Sequence, residues 1–228
     1  MNALVHSASP RKPAAKPVAA KAAPASRTND PVRTMTGILE VATQEFASKG
    51  LSGGRIDAIA EATRTSKRMI YYYFGSKEGL YLAVLEESYR KMRQIESELQ
   101  LDNLAPEQAL RALVEFTFDH HGANEDYIRL VMNENMERGA YLARSNTISE
   151  LNVPAIHAIQ RLYERGVKAG VFRDGLDPVD IHASISALTF FNVSNRHTFG
   201  LIFKNSGAEA AAVRRASITE MVLRFVRS

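Results

Sequence analysis

The chain of 228 residues contains no cysteine. That removes disulfide frameworks, thiolate metal sites and cysteine nucleophiles together, and it fits a reducing cytosol. No apolar run approaches the roughly 20 residues needed to cross a bilayer. The first 33 residues hold no apolar block of the kind a secretion signal requires. The expected location is therefore the cytoplasm, with no membrane partner. Strand-like alternation of useful length is missing, and so is any internal repeat. No Gly-rich phosphate loop, GxSxG elbow or HExxH pair occurs, so the expectation is a protein that is not an enzyme and that uses no cofactor.

What the chain does have is apolar material, 45% of its residues, enough for real cores. Its net charge of +4 is unevenly spread. Residues 1–33 carry +5, residues 34–82 carry +1 and residues 83–228 carry −2. The basic excess thus sits in an Ala-, Pro- and Lys-rich tail with almost nothing to bury, and residues 1–33 are expected to be disordered. Such a tail either adds counterion-release affinity for DNA or is a solubilising extension.

Beyond the tail the pattern is helical throughout. Met35, Ile38, Leu39, Ala42 and Phe46 recur at helical spacing before a stop at Gly50. Ile56, Ile59 and Ala60 mark a short second helix, and Lys67 to Phe74 a third. A fourth helix is expected from the Ser76 N-cap to about Gln100, with Tyr81, Val84, Leu85 and Met92 on one face. Pro106 starts another, Asn124 offers a cap for the next, Pro154 interrupts or starts one, and Asp177 with Pro178 repeats the start signal. Ile218, Met221, Val222 and Phe225 define a last helix. The fold class is all-α.

The segment TSKRMIYYYFGSKEGL, Thr65 to Leu80, carries the most chemistry. At about 100° per residue, Ile70, Tyr73 and Phe74 fall on one side of the third helix, and Arg68, Tyr71 and Tyr72 on the other. Two short helices joined tightly, the second displaying cations and phenols, form a helix-turn-helix whose second helix fits the major groove.

The run ILEVATQEFASKGLSGGRIDAIAEATRTSKRMIYYYFGSKEGL, Ile38 to Leu80, resembles the DNA-binding domain of the TetR family of bacterial transcriptional repressors. Ile38, Leu39, Ala42, Phe46 and Gly50 match the first helix of that pattern, Ile59, Ala60, Ala62 and Ser66 the helix and turn that follow. Tyr71, Tyr73, Phe74, Ser76, Lys77, Glu78 and Leu80 match the remainder. Two positions depart from it: Gly54 replaces a Thr or Ser that caps the second helix, and Arg64-Thr65 replaces a Gly-Val turn. The resemblance implies a three-helix homeodomain-like DNA-binding domain over 34–82, and a helical effector-binding and dimerisation domain over 83–228. It places Arg55, Thr65, Ser66, Lys67, Arg68, Tyr71, Tyr72 and Lys77 at the DNA, with Arg68 either reading a guanine edge or gripping phosphate.

In the second domain Phe116, His120, Tyr127, Asn133, Met136, His157, Gln160 and Asn192 are the expected ligand-binding residues, polar groups scattered among apolar ones as a small-molecule cavity requires. Each alone also reads as a satisfied core residue, and Met136 as core filler. His120 and His121 diverge by about 100° on a helix and cannot easily share an ion, so no metal site is expected. Phe190, Phe199, Ile218, Met221, Val222 and Phe225 form the expected dimer interface, the alternative being an ordinary core stripe. The expected partners are double-stranded DNA with a palindromic operator, a small-molecule effector and a second copy of the chain. Two other classes stay open at this point: a non-specific architectural DNA-binding protein and a helical small-molecule-binding enzyme.

Overall fold

At several helix starts a side chain satisfies an orphan N–H group of the first turn. The computed structural model describes residues 30–204 and 207–228, and ten α-helices are seen among them. They are α1 Pro31–Gly53, α2 Ile56–Thr63, α3 Lys67–Phe74, α4 Lys77–Ser97, α5 Pro106–Ala123, α6 Glu125–Met136, α7 Asn146–Lys168, α8 Pro178–Ser194, α9 Arg196–Phe203 and α10 Ala208–Val226. Ser66 Oγ accepts from Met69 N–H at 3.2 Å, Ser76 Oγ from Gly79 N–H at 3.0 Å, and Asp177 Oδ1 from Val179 N–H at 2.8 Å. Residues 1–29 of the expected tail lie outside the described residues. Pro31–Arg33, grouped with it by composition, form the first turn of α1, where proline lacks only an N–H that would have no partner.

Two expectations about helix ends need correction. Asn124 does not cap α6: its side-chain amide turns back and donates to the His120 carbonyl at 2.8 Å, closing α5 instead. Pro154 neither starts nor interrupts α7, which runs through it. Pro154 and Glu150, whose carbonyl loses its partner, are both exposed, so solvent can take that acceptor.

The turn between α2 and α3 keeps a helix-turn-helix geometry without glycine. Arg64 adopts the left-handed conformation, φ 53° and ψ 35°, and its N–H caps the carbonyls of Ala60 and Glu61. Thr65 N–H returns to Ala60 O at 3.0 Å, which completes the C-terminal cap of α2. An L-residue in this region costs about 1–2 kcal/mol.

Pro31–Ser228 form one compact unit with two apolar cores. The first gathers Ile38, Phe46, Ile59, Ile70, Leu80 and Val84 from α1–α4, together with Leu130 of α6 and Ile148 of α7. The second is built from α5, α7, α8 and α10 around Leu110, Leu113, Ile159, Ile185 and Val222. Helix α4, about 30 Å long at 1.5 Å per residue, starts in the first core and reaches the second bundle. Past α7 the chain turns back over Gly166, where a Cβ would lie 1.9 Å from the ring of the buried Phe172.

Two stability changes follow. Gly166→Ala should lower the unfolding free energy by about 1–3 kcal/mol through overpacking against Phe172, read as a lower denaturant midpoint; an unchanged midpoint would mean that this contact is loose. Arg64→Gly should raise stability by about 0.5–1 kcal/mol, the relief of left-handed strain less the extra chain entropy of glycine, and a lower melting temperature would contradict the strained turn.

Candidate DNA-reading face and effector cavity

The sequence of α3 divides as its phase requires. Ile70 is fully buried, Tyr73 and Phe74 are half-buried, and Arg68, Tyr71 and Tyr72 face solvent, Tyr72 with 77% of its surface exposed. Tyr73 packs edge-on to Tyr72 and Phe74, with centroids 5.4 and 6.3 Å away, so the exposed phenols stand on a braced ring. Among the described residues Arg68 has no carboxylate partner. Lys67 is paired with Asp57 of α2, and this contact holds the Asp57 carboxyl below its usual range. Lys67 would have to exchange that partner to meet a phosphate.

The edges of the face are held by backbone contacts. Gly54 occupies a position with no room for a side chain: a Cβ there would lie 2.6 Å from the Phe46 ring. A Thr or Ser could not replace it without moving Phe46. The capping role passes to Glu45, whose Oε1 accepts from Arg55 N–H at 3.0 Å. Burial pushes the Glu45 carboxyl up, but Lys49 and the Arg55 N–H outweigh it and hold it below its ordinary value. The Arg55 side chain is left exposed at the start of α2, and Thr65 and Ser66 lie at the start of α3. The Lys77 ammonium donates to Ser52 O at 3.3 Å, which ties the start of α4 to the end of α1 and spends one of its three donors.

Helix α6 is joined to this head by polar bonds to the backbone of α1. Asn133 Nδ2 donates to Phe46 O at 3.1 Å and Arg129 Nε to Ala47 O at 3.1 Å. The buried Glu134 accepts from Tyr141 N–H and Leu142 N–H at 3.2 and 2.9 Å, fixing the segment between α6 and α7. The Tyr141 ring then lies edge-on to Tyr81, and Tyr81 edge-on to Phe46, at centroid distances of 5.4 and 5.3 Å.

A cavity of about 610 Å³ opens between α4, α5, α6, α7 and α8. Its aromatic walls are Tyr89, Tyr127, Phe190 and the imidazoles of His121 and His182. Tyr89 and Tyr127 meet edge-on at 5.5 Å, and His121 stacks on Tyr127 at 6.0 Å. Burial pushes both His121 and His182 down to about 4, so they are neutral at physiological pH. His121 Nδ1 is buried with no hydrogen-bond partner among the described residues. The ionic groups of the lining are Arg93 and Glu96, which are paired with each other, while Arg93 Nε donates to Asn152 Oδ1 at 3.0 Å.

Of the expected ligand residues only Tyr127 lines this cavity. His120 is buried behind it, packed against Phe116 at 5.6 Å, while the adjacent His121 faces in. Asn133 is committed to α1, and Met136 is 73% exposed beside a separate recess between α1 and α6. His157 and Gln160 lie on the exposed side of α7, where Gln160 bonds Glu164. Asn192 lines a groove of about 640 Å³ along α8, α9 and α10. Arg93, Asn152 and His182 were missed. Their only signal was polar side chains on the inward phase of otherwise amphipathic helices.

The expected dimer residues also divide. Ile218 and Val222 are buried within the chain's own bundle, because the α10 stripe packs on α5 and α8. Phe190 turns to the cavity, and Phe225 is half-buried under Arg173 at 5.1 Å. Met221 and Phe199 do lie along an exposed apolar surface, shared with Phe191, Leu201, Ile202 and Phe203. No helix among the described residues is long and apolar enough to cross a membrane. Nor do three potential metal ligands come together among them.

Comparison with known proteins agrees with this architecture. Residues 38–84 match the bacterial regulatory proteins of the tetR family, and residues 106–222 match the tetracyclin repressor-like C-terminal domain. The chain is 36% identical over 197 residues to the HTH-type transcriptional repressor NicS of Pseudomonas putida, covering 86% of this chain and 93% of that protein. It is 34% identical over 139 residues to the repressor SCO4008 of Streptomyces coelicolor, covering 60% and 69% of the two chains. Among solved structures, the transcriptional regulator SCO4942 of Streptomyces coelicolor superposes with a TM-score of 0.64 at 27% identity, over 85% of this chain and 98% of the other. KstR2 of Mycobacterium tuberculosis shares the fold, with a TM-score of 0.64 at 18% identity over 89% and 97% of the two chains. The chain therefore belongs to the TetR family of bacterial transcriptional regulators, all-α DNA-binding proteins that are not enzymes.

Proposed function

We propose that the protein is a homodimeric repressor whose two α3 helices enter successive major grooves of a near-palindromic operator, and which a small molecule in the α4–α8 cavity releases from it. The observation that carries this reading is the exposed face of α3, where Arg68, Tyr71 and Tyr72 project with Ser66 and Lys67 at the N-terminal end. Arg68 has the reach and the fork to span both acceptors of a guanine. Tyr71, Tyr72, Thr65, Arg55 and Lys77 surround it at phosphate level, and such contacts set register without reading sequence.

The uncovered apolar surface of α8, α9 and α10 supports a twofold pairing, since Leu201, Ile202 and Phe203 each expose more than 60% of their surface. Release has a physical route. Helix α4 carries Lys77 at one end and the cavity residues Tyr89, Arg93 and Glu96 towards the other. The cavity wall also includes Leu142 and Ser145, on the segment that Glu134 ties to α6. A ligand that prefers one setting of these helices changes the spacing of the two heads. A coupling of about 1–3 kcal/mol lowers operator affinity about 5- to 150-fold.

Selection from a random duplex library at near-physiological salt tests the reading. The wild-type protein should enrich a palindromic motif, and an Arg68→Ala, Tyr72→Ala variant should lose it; no enrichment by the wild type would refute sequence-specific repression. Arg68→Ala alone should cost about 1–3 kcal/mol on the selected site and relax one base position, whereas equal losses on all duplexes would leave Arg68 on phosphate. Anisotropy titrations over a salt series should give Lys77→Ala a shallower slope of log affinity against log salt, by about one unit. An unaltered slope would remove Lys77 from the interface.

A further inference from the structure

We infer that the cavity between α4 and α8 is built for a small aromatic carboxylic acid, held by its carboxylate at Arg93 and by its ring among Tyr89, Tyr127, His121 and Phe190. This deepens the effector reading above and rests on it. The first support is the state of Arg93. Its Nε is committed to Asn152 Oδ1 and its Nη1 to Glu96, which fixes the plane of the guanidinium, while Nη2 has no partner among the described residues. A planar fork held from two sides, with both N–H groups of Nη2 to spare, recognises a carboxylate oxygen in a defined direction.

The second support is the field inside the cavity. Arg93 lowers the proton affinity of His121 and His182, and it works against burial at the phenols of Tyr89 and Tyr127. Glu96 acts in the opposite sense, and only weakly, at Tyr127. Arg93 is the only Lys or Arg side chain among the described residues of the lining. With both imidazoles neutral, no second cation competes for the anion.

The third support is shape and unmet polarity. The rings of Tyr89, Tyr127, His121 and Phe190 pack on one another at 5.5–6.3 Å into one continuous aromatic wall, against which a further ring can make edge-to-face or offset contact. An inorganic anion would leave these walls unused, and an apolar ligand would leave Arg93 Nη2 unpaired.

Titration calorimetry on the full chain tests this with benzoate and its mono-hydroxy and mono-amino ring isomers, each beside its carboxamide, and with cyclohexanecarboxylate and phosphate as controls. At least one aromatic acid should bind, with its amide and the saturated acid weaker by about tenfold or more. Arg93→Lys, which keeps the charge and removes the fork, should weaken the acid while leaving the amide unchanged. Three results would overturn the inference: no aromatic acid binds, the amide or the saturated acid binds equally well, or phosphate binds in their place. If Arg93→Lys does not fold, the wild-type comparison of acid with amide decides alone. Failure here leaves operator selection by the wild type intact, whereas failure of the repressor reading appears as lost enrichment regardless of any ligand.

Discussion

Phe46 is held by three contacts, and the orientation of the DNA-binding head depends on them. Its ring lies where the Cβ of any residue but glycine at 54 would be, and Tyr81 meets it edge-on at 5.3 Å. Its carbonyl, near the end of α1, accepts from Asn133 of α6. The side chain therefore fixes the bend from α1 into α2, and the main chain of the same residue fixes α1 against the C-terminal bundle. Since α3 packs on α2 and α4, the direction of its exposed face follows from that single packing site. Interiors packed this closely do not deform gradually. A shift of α6 must either carry the head with it or break the Asn133 and Arg129 bonds.

That arrangement accounts for how two unlike surfaces share one chain. The α3 face leaves Arg68 without a carboxylate partner and exposes Tyr72, at the expense of burial that a purely structural helix would claim. The cavity leaves a histidine nitrogen buried and unpaired, and lines itself with polar groups where the neighbouring core uses leucine and isoleucine. Both are departures from the best-packed answer, and such departures concentrate at functional sites. The strained Arg64 is a third. A glycine would suit the turn better, but arginine adds a cation beside the proposed DNA face.

The helices of the DNA-binding head and the two faces of α3 were legible in the sequence, and the packing of the bundle was not. In α3 a period of 3.6 and a serine cap were enough, because eight residues on a small core admit one phase. In the bundle the same rules gave the helices but not their neighbours. An apolar stripe tells which face is covered and not what covers it, so Ile218 and Val222 read as a dimer seam although they pack in the chain's own core. His120 and His121 differ by one position, about 100° of rotation, and the cavity took the second. Arg93 carried no signal of its own in the sequence, because only the packing of α7 and α8 places it in the cavity wall.

The position of Arg93 also bears on regulation. Lys77 and Arg93 lie 16 residues apart on one helix, a separation of about 24 Å along its axis. A rigid rod of that length turns a small displacement at the cavity into a comparable one at the DNA, since α4 has no proline and no break between them. Length alone transmits nothing unless the ligand distinguishes two settings of the rod. The Arg93–Glu96–Asn152 cluster offers such a distinction, because Arg93 and Glu96 belong to α4 and Asn152 to α7. In the proposed mode an anion at the free Nη2 would add a contact beside the one within α4 and the one across to α7. On the proposed function, the helix that carries Lys77 is then also the helix whose anchorage a ligand at Arg93 would change.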